Sequence, residues 1–244
     1  WVKMDANTSG RPMVTLGRTD GTTSGAYWFT GVTPAGVPTF QLQDSSGSVT
    51  VTGTTAVTDN AWHLVVAVRD AATGKNFIYV DDGAPVEAPA AYTGNGFLFN
   101  EAPLYIGWFD LTGIGEYRLA GSLDEVALYD RALTANEIAQ HYTEGLAGID
   151  YCGGSAAPTL GYAPYPDDTI SLWPLDEAAG STTYVDIFGV NDGSGNDAPT
   201  AVAGTVNGAQ MFDGAGTGID VPASRTFNWL TTESFSIEYW VKMD

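Results

Sequence analysis

Cysteine is nearly absent: Cys152 stands alone in 244 residues, so no disulfide can form within the chain. In an extracellular protein a lone cysteine suggests pairing between molecules. Its setting, Tyr151-Cys152-Gly153-Gly154-Ser155, reads as an exposed linker in which the thiol has no evident role. Cations are scarce too, with 9 Lys+Arg against 29 Asp+Glu and a formal net charge of −20. That balance excludes nucleic-acid binding, which needs a basic footprint. It opposes docking on an anionic membrane and favours solubility and cation binding. Such acidity equally suits a salty or calcium-rich habitat. No apolar run approaches the length of a membrane span. There is no phosphate loop, no CxxC pair and no zinc spacing. Of the two histidines, His63 lies inside an apolar run and His141 on a helical one, neither with a nucleophile or metal partner nearby in sequence.

What the chain has is a repeated word. Trp1-Val2-Lys3-Met4-Asp5 recurs as Trp240-Val241-Lys242-Met243-Asp244. Chance recurrence of five residues is remote, so the reading is one period of a longer repetitive polypeptide. That period is far above those of solenoids, and each repeat is expected to be a whole domain. The second copy ends a stretch, residues 235–241, that alternates apolar and polar like a half-buried strand. Domain boundaries fall in polar linkers, not inside strands. Residues 1–150 are therefore read as the later part of one sandwich and 167–244 as the early part of another. Residues 151–166, rich in Gly, Ala, Pro and Ser, are the linker between them.

The rest of the chain is short strands and tight turns. With 44% hydrophobic residues and 12% aromatics it can bury a sizeable core, and its 30 glycines suit many turns. Strands are expected at 12–18, 26–29, 39–42, 48–52, 62–68, 76–80, 104–108 and 121–129, then at 169–175, 210–212, 218–221 and 235–243. Thr73-Gly74-Lys75 signals a hairpin. One helix is marked by a capping box, Thr134 with Glu137 three residues on. Ile138, His141 and Tyr142 fall on its buried side, and Gly145 is expected to stop it. Many short strands with one short helix indicate an all-β antiparallel β-sandwich.

Residues 121–138, Gly-Ser-Leu-Asp-Glu-Val-Ala-Leu-Tyr-Asp-Arg-Ala-Leu-Thr-Ala-Asn-Glu-Ile, closely resemble the last strand and following helix of laminin-G-like, concanavalin A-like jelly-roll domains. Trp62-His63-Leu64-Val65 with Ile78-Tyr79-Val80-Asp81 resembles their middle hairpin. Ser171-Leu172-Trp173-Pro174-Leu175-Asp176-Glu177 resembles their first strand, and Phe212-Asp213-Gly214 and residues 235–241 the strands that follow. The family order is permuted, because the first-strand motif comes after the last-strand motif. Either the halves close on each other within one chain, or each completes a neighbouring copy. A closed domain has one slot for the repeated word and the chain carries two, which favours an array. Neighbouring copies of the same chain are then its partners, assembled head to tail into an extracellular fibre or adhesive stalk at the cell surface, without membrane insertion.

The resemblance also implies chemistry. The family often carries a structural calcium near its paired first and last strands. Asp176, Asp186, Asn191 and Asp192 follow the first strand, and Asp124 and Glu125 lie on the last, so these six are the candidate ligands for a calcium cofactor. Turn capping explains the same residues equally well. Some members bind glycans by stacking sugar rings on exposed aromatics. Trp28, Trp108 and Tyr117, with Tyr27 and Phe109 beside them, are the candidate carbohydrate-binding residues, whereas Trp62, Trp173 and Trp240 read as core. Catalysis is not expected: hydrolysis of a glycosidic bond needs two opposed carboxylates, Glu238 stands alone in its strand, and neighbours such as Asp124 and Glu125 point to opposite faces. The expectation is a non-catalytic structural or adhesive repeat, with a lectin-like module as the alternative.

Overall fold

Turn residues punctuate the chain at short intervals, and the computed structural model resolves the intervening runs into two stacked sheets. It describes residues 12–21, 25–99, 101–111, 115–149, 168–187 and 190–243. The first copy of the repeated word, Cys152 and the linker expected at 151–166 lie outside the described residues. The strands β1 (Met13–Thr19), β2 (Tyr27–Val32), β3 (Pro38–Asp44) and β4 (Gly47–Thr52) form an antiparallel run. A second run is β5 (Trp62–Asp70), β6 (Lys75–Val80) and β7 (Val86–Glu87). Next come β8 (Leu104–Ile106), the hairpin of β9 (Trp108–Leu111) and β10 (Gly115–Arg118), the long β11 (Ala120–Tyr129), and α1 (Ala135–Leu146). The later residues give β12 (Thr169–Trp173), β13 (Thr183–Tyr184), β14 (Gly193–Asn196), β15 (Thr200–Ala203), β16 (Gly208–Asp213), β17 (Gly218–Val221) and β18 (Phe235–Lys242).

One sheet runs β13-β14-β17-β8-β1-β2-β3-β4. The other runs β15-β16-β11-β18-β5-β6-β7, with β12 also paired to β11. Alternation decides what lies between them. Leu16, Trp28, Phe40, Leu42 and Val51 point inward from the first sheet, and Val65, Ala67, Ile78, Leu128, Ile237 and Val241 from the second. A hydrogen bond between the hydroxyls of Tyr239 and Thr30, 2.8 Å long, joins the layers through this core. The outer face of the second sheet is covered by α1, where Ile138 and Leu133 meet Leu64, Val66, Ala127, Leu172 and Trp240. The outer face of the first is partly covered by the β9–β10 hairpin, where Phe109 and Leu111 pack on Val14, Tyr27 and Phe29.

The helix starts as its sequence dictates. Thr134 caps it, its hydroxyl accepting from Glu137 N while the Glu137 carboxylate accepts from Thr134 N. Gly145, expected to stop it, lies inside it. A Cβ there would sit 2.4 Å from Cζ2 of Trp240, so the glycine serves close packing on the sheet and not termination. The single strand expected at 104–108 is two. Gly107, at φ 75°, breaks it, and Trp108 opens the separate hairpin.

The two halves meet within one chain. β12 pairs with β11 through Val126↔Trp173 to Tyr129↔Thr169, and β18 lies between β11 and β5. β16 pairs with β11, and β17 with β8. The sequence favoured completion of each half by a neighbouring copy, and here the chain's own later half supplies those strands. The chain can close on itself because β11 and β12 lie side by side in the sheet.

Candidate functional site

The six acidic and amide residues set down as calcium ligands occupy one end of β11 and the connection after β12, and each is engaged locally. Asp124 is fully buried, its Oδ2 accepting from Thr205 N at 2.7 Å and Val206 N at 2.9 Å. Its Oδ1 has no hydrogen-bond partner. Burial pushes this carboxyl up to about 8, and repulsion from Asp176 adds to the effect. Glu125 takes φ 49° where the β11–β18 register slips, and it too is buried. Asp176 accepts from Gly208 N at 2.6 Å. Asp186 accepts from Leu172 N, and Asp192 from Asp186 N. Asn191 donates to Ser171 Oγ, while its carbonyl accepts from Trp173 Nε1. These bonds pin the connection to β12. Among the described residues no three Asp, Glu, His or Cys side chains converge to hold a metal ion.

The aromatic candidates divide. Trp28 is a correction: it is fully buried in the main core, 5.4 Å from the ring of Trp229, and cannot stack a sugar. β2 is covered on both faces, by the core and by the hairpin, so all six of its residues are buried. Trp108 is 8% exposed, donates from Nε1 to Asp220 at 2.8 Å, and carries the Arg118 guanidinium 4.9 Å from its ring. Phe109 and Tyr27 are buried, and Tyr117 is half-buried on the hairpin. Tyr27 bonds Gln43 through its hydroxyl at 2.8 Å. Trp173 and Trp240 are fully buried, and Trp62 is partly so.

Sequence separation hid one buried pair. Glu238 is fully buried on β18, and both its oxygens lie within 3.1 Å of Nδ1 of His141 on α1. Burial alone would lower the histidine, but the Glu238 charge and hydrogen bond outweigh it and raise its pKa. The pair sits under the helix beside Tyr129. It fastens the helix to the sheet.

The most complete site in the molecule is the slot that β18 occupies. Eight rungs pair it with β5, from Phe235↔Arg69 to Lys242↔Trp62, and six with β11. Seven of its eight residues are buried. At its start Phe235 stacks on Trp229 at 4.0 Å and 9°, and Ser236 Oγ accepts from Leu133 N and donates to Arg131 O. At its end Trp240 stacks on Tyr142 at 5.7 Å and 17°, and the Met243 carbonyl accepts from Asn60 N. The repeated word thus reads as a set of fittings: Trp240 for the helix side, Val241 and Met243 for the core, Lys242 at the rim.

A family model described as concanavalin A-like lectin/glucanases superfamily (Laminin_G_3) matches residues 1–139. No curated protein and no solved structure matches the chain.

Proposed function

The chain belongs to the concanavalin A-like lectin/glucanases superfamily, and on that premise we propose that it is a non-catalytic structural and adhesive module of an extracellular, cell-surface protein, joined to further copies of itself by strand exchange. One observation carries this reading. The slot between β11 and β5 is built around Trp240, Val241 and Met243, and the chain holds a second, identical word at residues 1–5. Every contact that completes the sandwich within one chain is available between two, because the surfaces are the same. Paired in this way, the sheet leaves no open edge at the joint. The acidic surface keeps such an assembly soluble. Among the described residues no helix is long and apolar enough to cross a membrane.

The test is refolding at increasing protein concentration, followed by light scattering. Exchange gives a ladder of discrete oligomers whose share rises with concentration, and a synthetic peptide of residues 235–244 suppresses it. A single monomer peak at every concentration, unchanged by the peptide, sinks the proposal.

A glycan-binding reading has its own observation. The β9–β10 hairpin lays Tyr117 and Trp108 beside Tyr27, Gln43 and Tyr105 on the outer face of the first sheet. Aromatic rings next to amide and carboxylate groups are what sugar recognition requires.

A further inference from the structure

At one end of the second sheet the Asp70–Lys75 turn, the loop after Tyr92 and the Thr231–Ser234 turn border an open, shallow hollow of about 620 Å³. That volume is within the range of small-molecule sites. Arg69 lines it, only 2% exposed. Its acceptors are neutral and far: Asn76 Oδ1 at 3.4 Å, Tyr92 O at 3.2 Å and Thr231 O at 3.4 Å. These three bonds engage Nη1 and Nη2. Lys75 pairs with Glu87, Arg118 with Glu116, and Arg131 with Glu137 and Asp168, whereas the fully buried Arg18 has neutral acceptors but fills its fork with five of them at 2.6–3.1 Å. Arg69 forms no such pair among the described residues. The carboxylate of Asp70, its chain neighbour, is held by Ala72 N and the Thr73 hydroxyl. The amide that Arg69 leans on is itself incomplete, since the fully buried Asn76 keeps Nδ2 without a partner.

A nearly buried guanidinium with no carboxylate in hydrogen-bond contact is costly to maintain, and the charge of nearby Asp70 offsets only part of its desolvation. The ring centre of Tyr92 lies 5.4 Å from the guanidinium carbon, and the planar fork suits a planar oxyanion such as a carboxylate. The rest of the lining is hydroxyl and small: Thr93, Thr232 and Ser234 with Ala71, Ala72 and Gly74. A net charge of −20 repels polyanions from a distance. A ligand with a single carboxylate and otherwise neutral hydroxyls avoids that repulsion. We infer that this hollow binds a sugar acid of monosaccharide size, its carboxylate on Arg69 and its hydroxyls among Thr93, Thr232 and Ser234. The inference rests on the glycan-binding reading for the class of ligand only; its place is separate from the aromatic hairpin.

The experiment is a titration of isotope-labelled protein with glucuronate, glucose and acetate, followed by amide chemical shifts. Glucuronate is expected to move the amides of Ala71, Ala72, Thr93 and Thr232, with glucose and acetate each about tenfold weaker. R69Q is expected to lose the response. A72F, which fills the mouth and leaves Arg69 in place, is expected to lose it too, guarding against a result that reflects misfolding of R69Q. Equal binding of glucose and glucuronate, or glucuronate binding untouched by R69Q and A72F, overturns the inference. So does glucuronate moving only Trp108 and Tyr117, a result that leaves the glycan-binding reading standing. No shift with any sugar at roughly 20 mM, where a millimolar site is nearly saturated, removes both.

Discussion

Trp240 is the residue on which closure of the sandwich leans most heavily, and its truncation can be worked through from its surroundings. The side chain is fully buried, packed among Leu64, Val66, Ala127 and Leu172, stacked on Tyr142, and pressed by the backbone of Gly145. W240A removes an indole from between a helix and a sheet that cannot collapse together, since α1 is also fastened through Ile138, Leu133 and His141. Loss of transfer energy plus the cavity comes to about 3–5 kcal/mol. The stacking on Tyr142 accounts for about 0.5–1.5 kcal/mol of that. A domain of this kind has about 5–15 kcal/mol in total, so the variant should sit near the edge of folding. Urea denaturation of W240A, W240F, Y142A and the W240A/Y142A pair measures each piece. The midpoint should fall with little change in slope, and W240F should lose less than half as much. A loss below about 1 kcal/mol for W240A would refute burial of the second copy of the repeated word in this slot.

Three further outcomes follow from the same geometry. Asp124 has a folded pKa raised from 3.8 to about 8, so the folded state binds the extra proton and stability falls as pH rises between those values. D124N should therefore raise the melting temperature at pH 8 by the worth of at least one pKa unit, about 1.4 kcal/mol, and have little effect at pH 4, as calorimetry across pH would show. H141A leaves Glu238 buried without its partner and should cost about 3–5 kcal/mol at pH 7, part of which E238Q restores in the double variant; equal loss in single and double variants would contradict the pairing. G145A gains helix propensity of about 1 kcal/mol yet places Cβ 2.4 Å from the Trp240 ring, so a net destabilisation is expected, and a rise in melting temperature would show that the helix stands further off the sheet.

The sequence made some of this legible and concealed the rest for physical reasons. The capping box at Thr134 and Glu137 is a local signal and needed no tertiary knowledge. The last-strand and first-strand motifs gave the sandwich, and β11 does pair with β12. Trp28 was misplaced because β2 is buried on both sides and shows no alternation to tell inside from outside. β14 escaped notice because Gly193-Ser194-Gly195-Asn196 has turn composition and is a strand only through its neighbour β17. Glu125 sits at a bulge with φ 49° and is buried together with Asp124, which strict alternation did not anticipate. His141 and Glu238 lie 97 residues apart, and no spacing rule connects them. Gly145 was expected to end the helix and Gly107 to lie within a strand, yet Gly107 breaks the strand and Gly145 admits an indole ring.

Cysteine cross-linking across the slot tests the strand-exchange proposal most directly. Ser122 and Lys242 face each other in the β11–β18 ladder. In a C152S background, S122C and K242C are placed on separate chains, unfolded together, refolded and oxidised. Exchange predicts disulfide-linked S122C–K242C dimers in an amount that rises with concentration, while the doubly substituted chain also closes on itself. Only uncross-linked monomers from the mixture, beside efficient closure of the double variant, would contradict it.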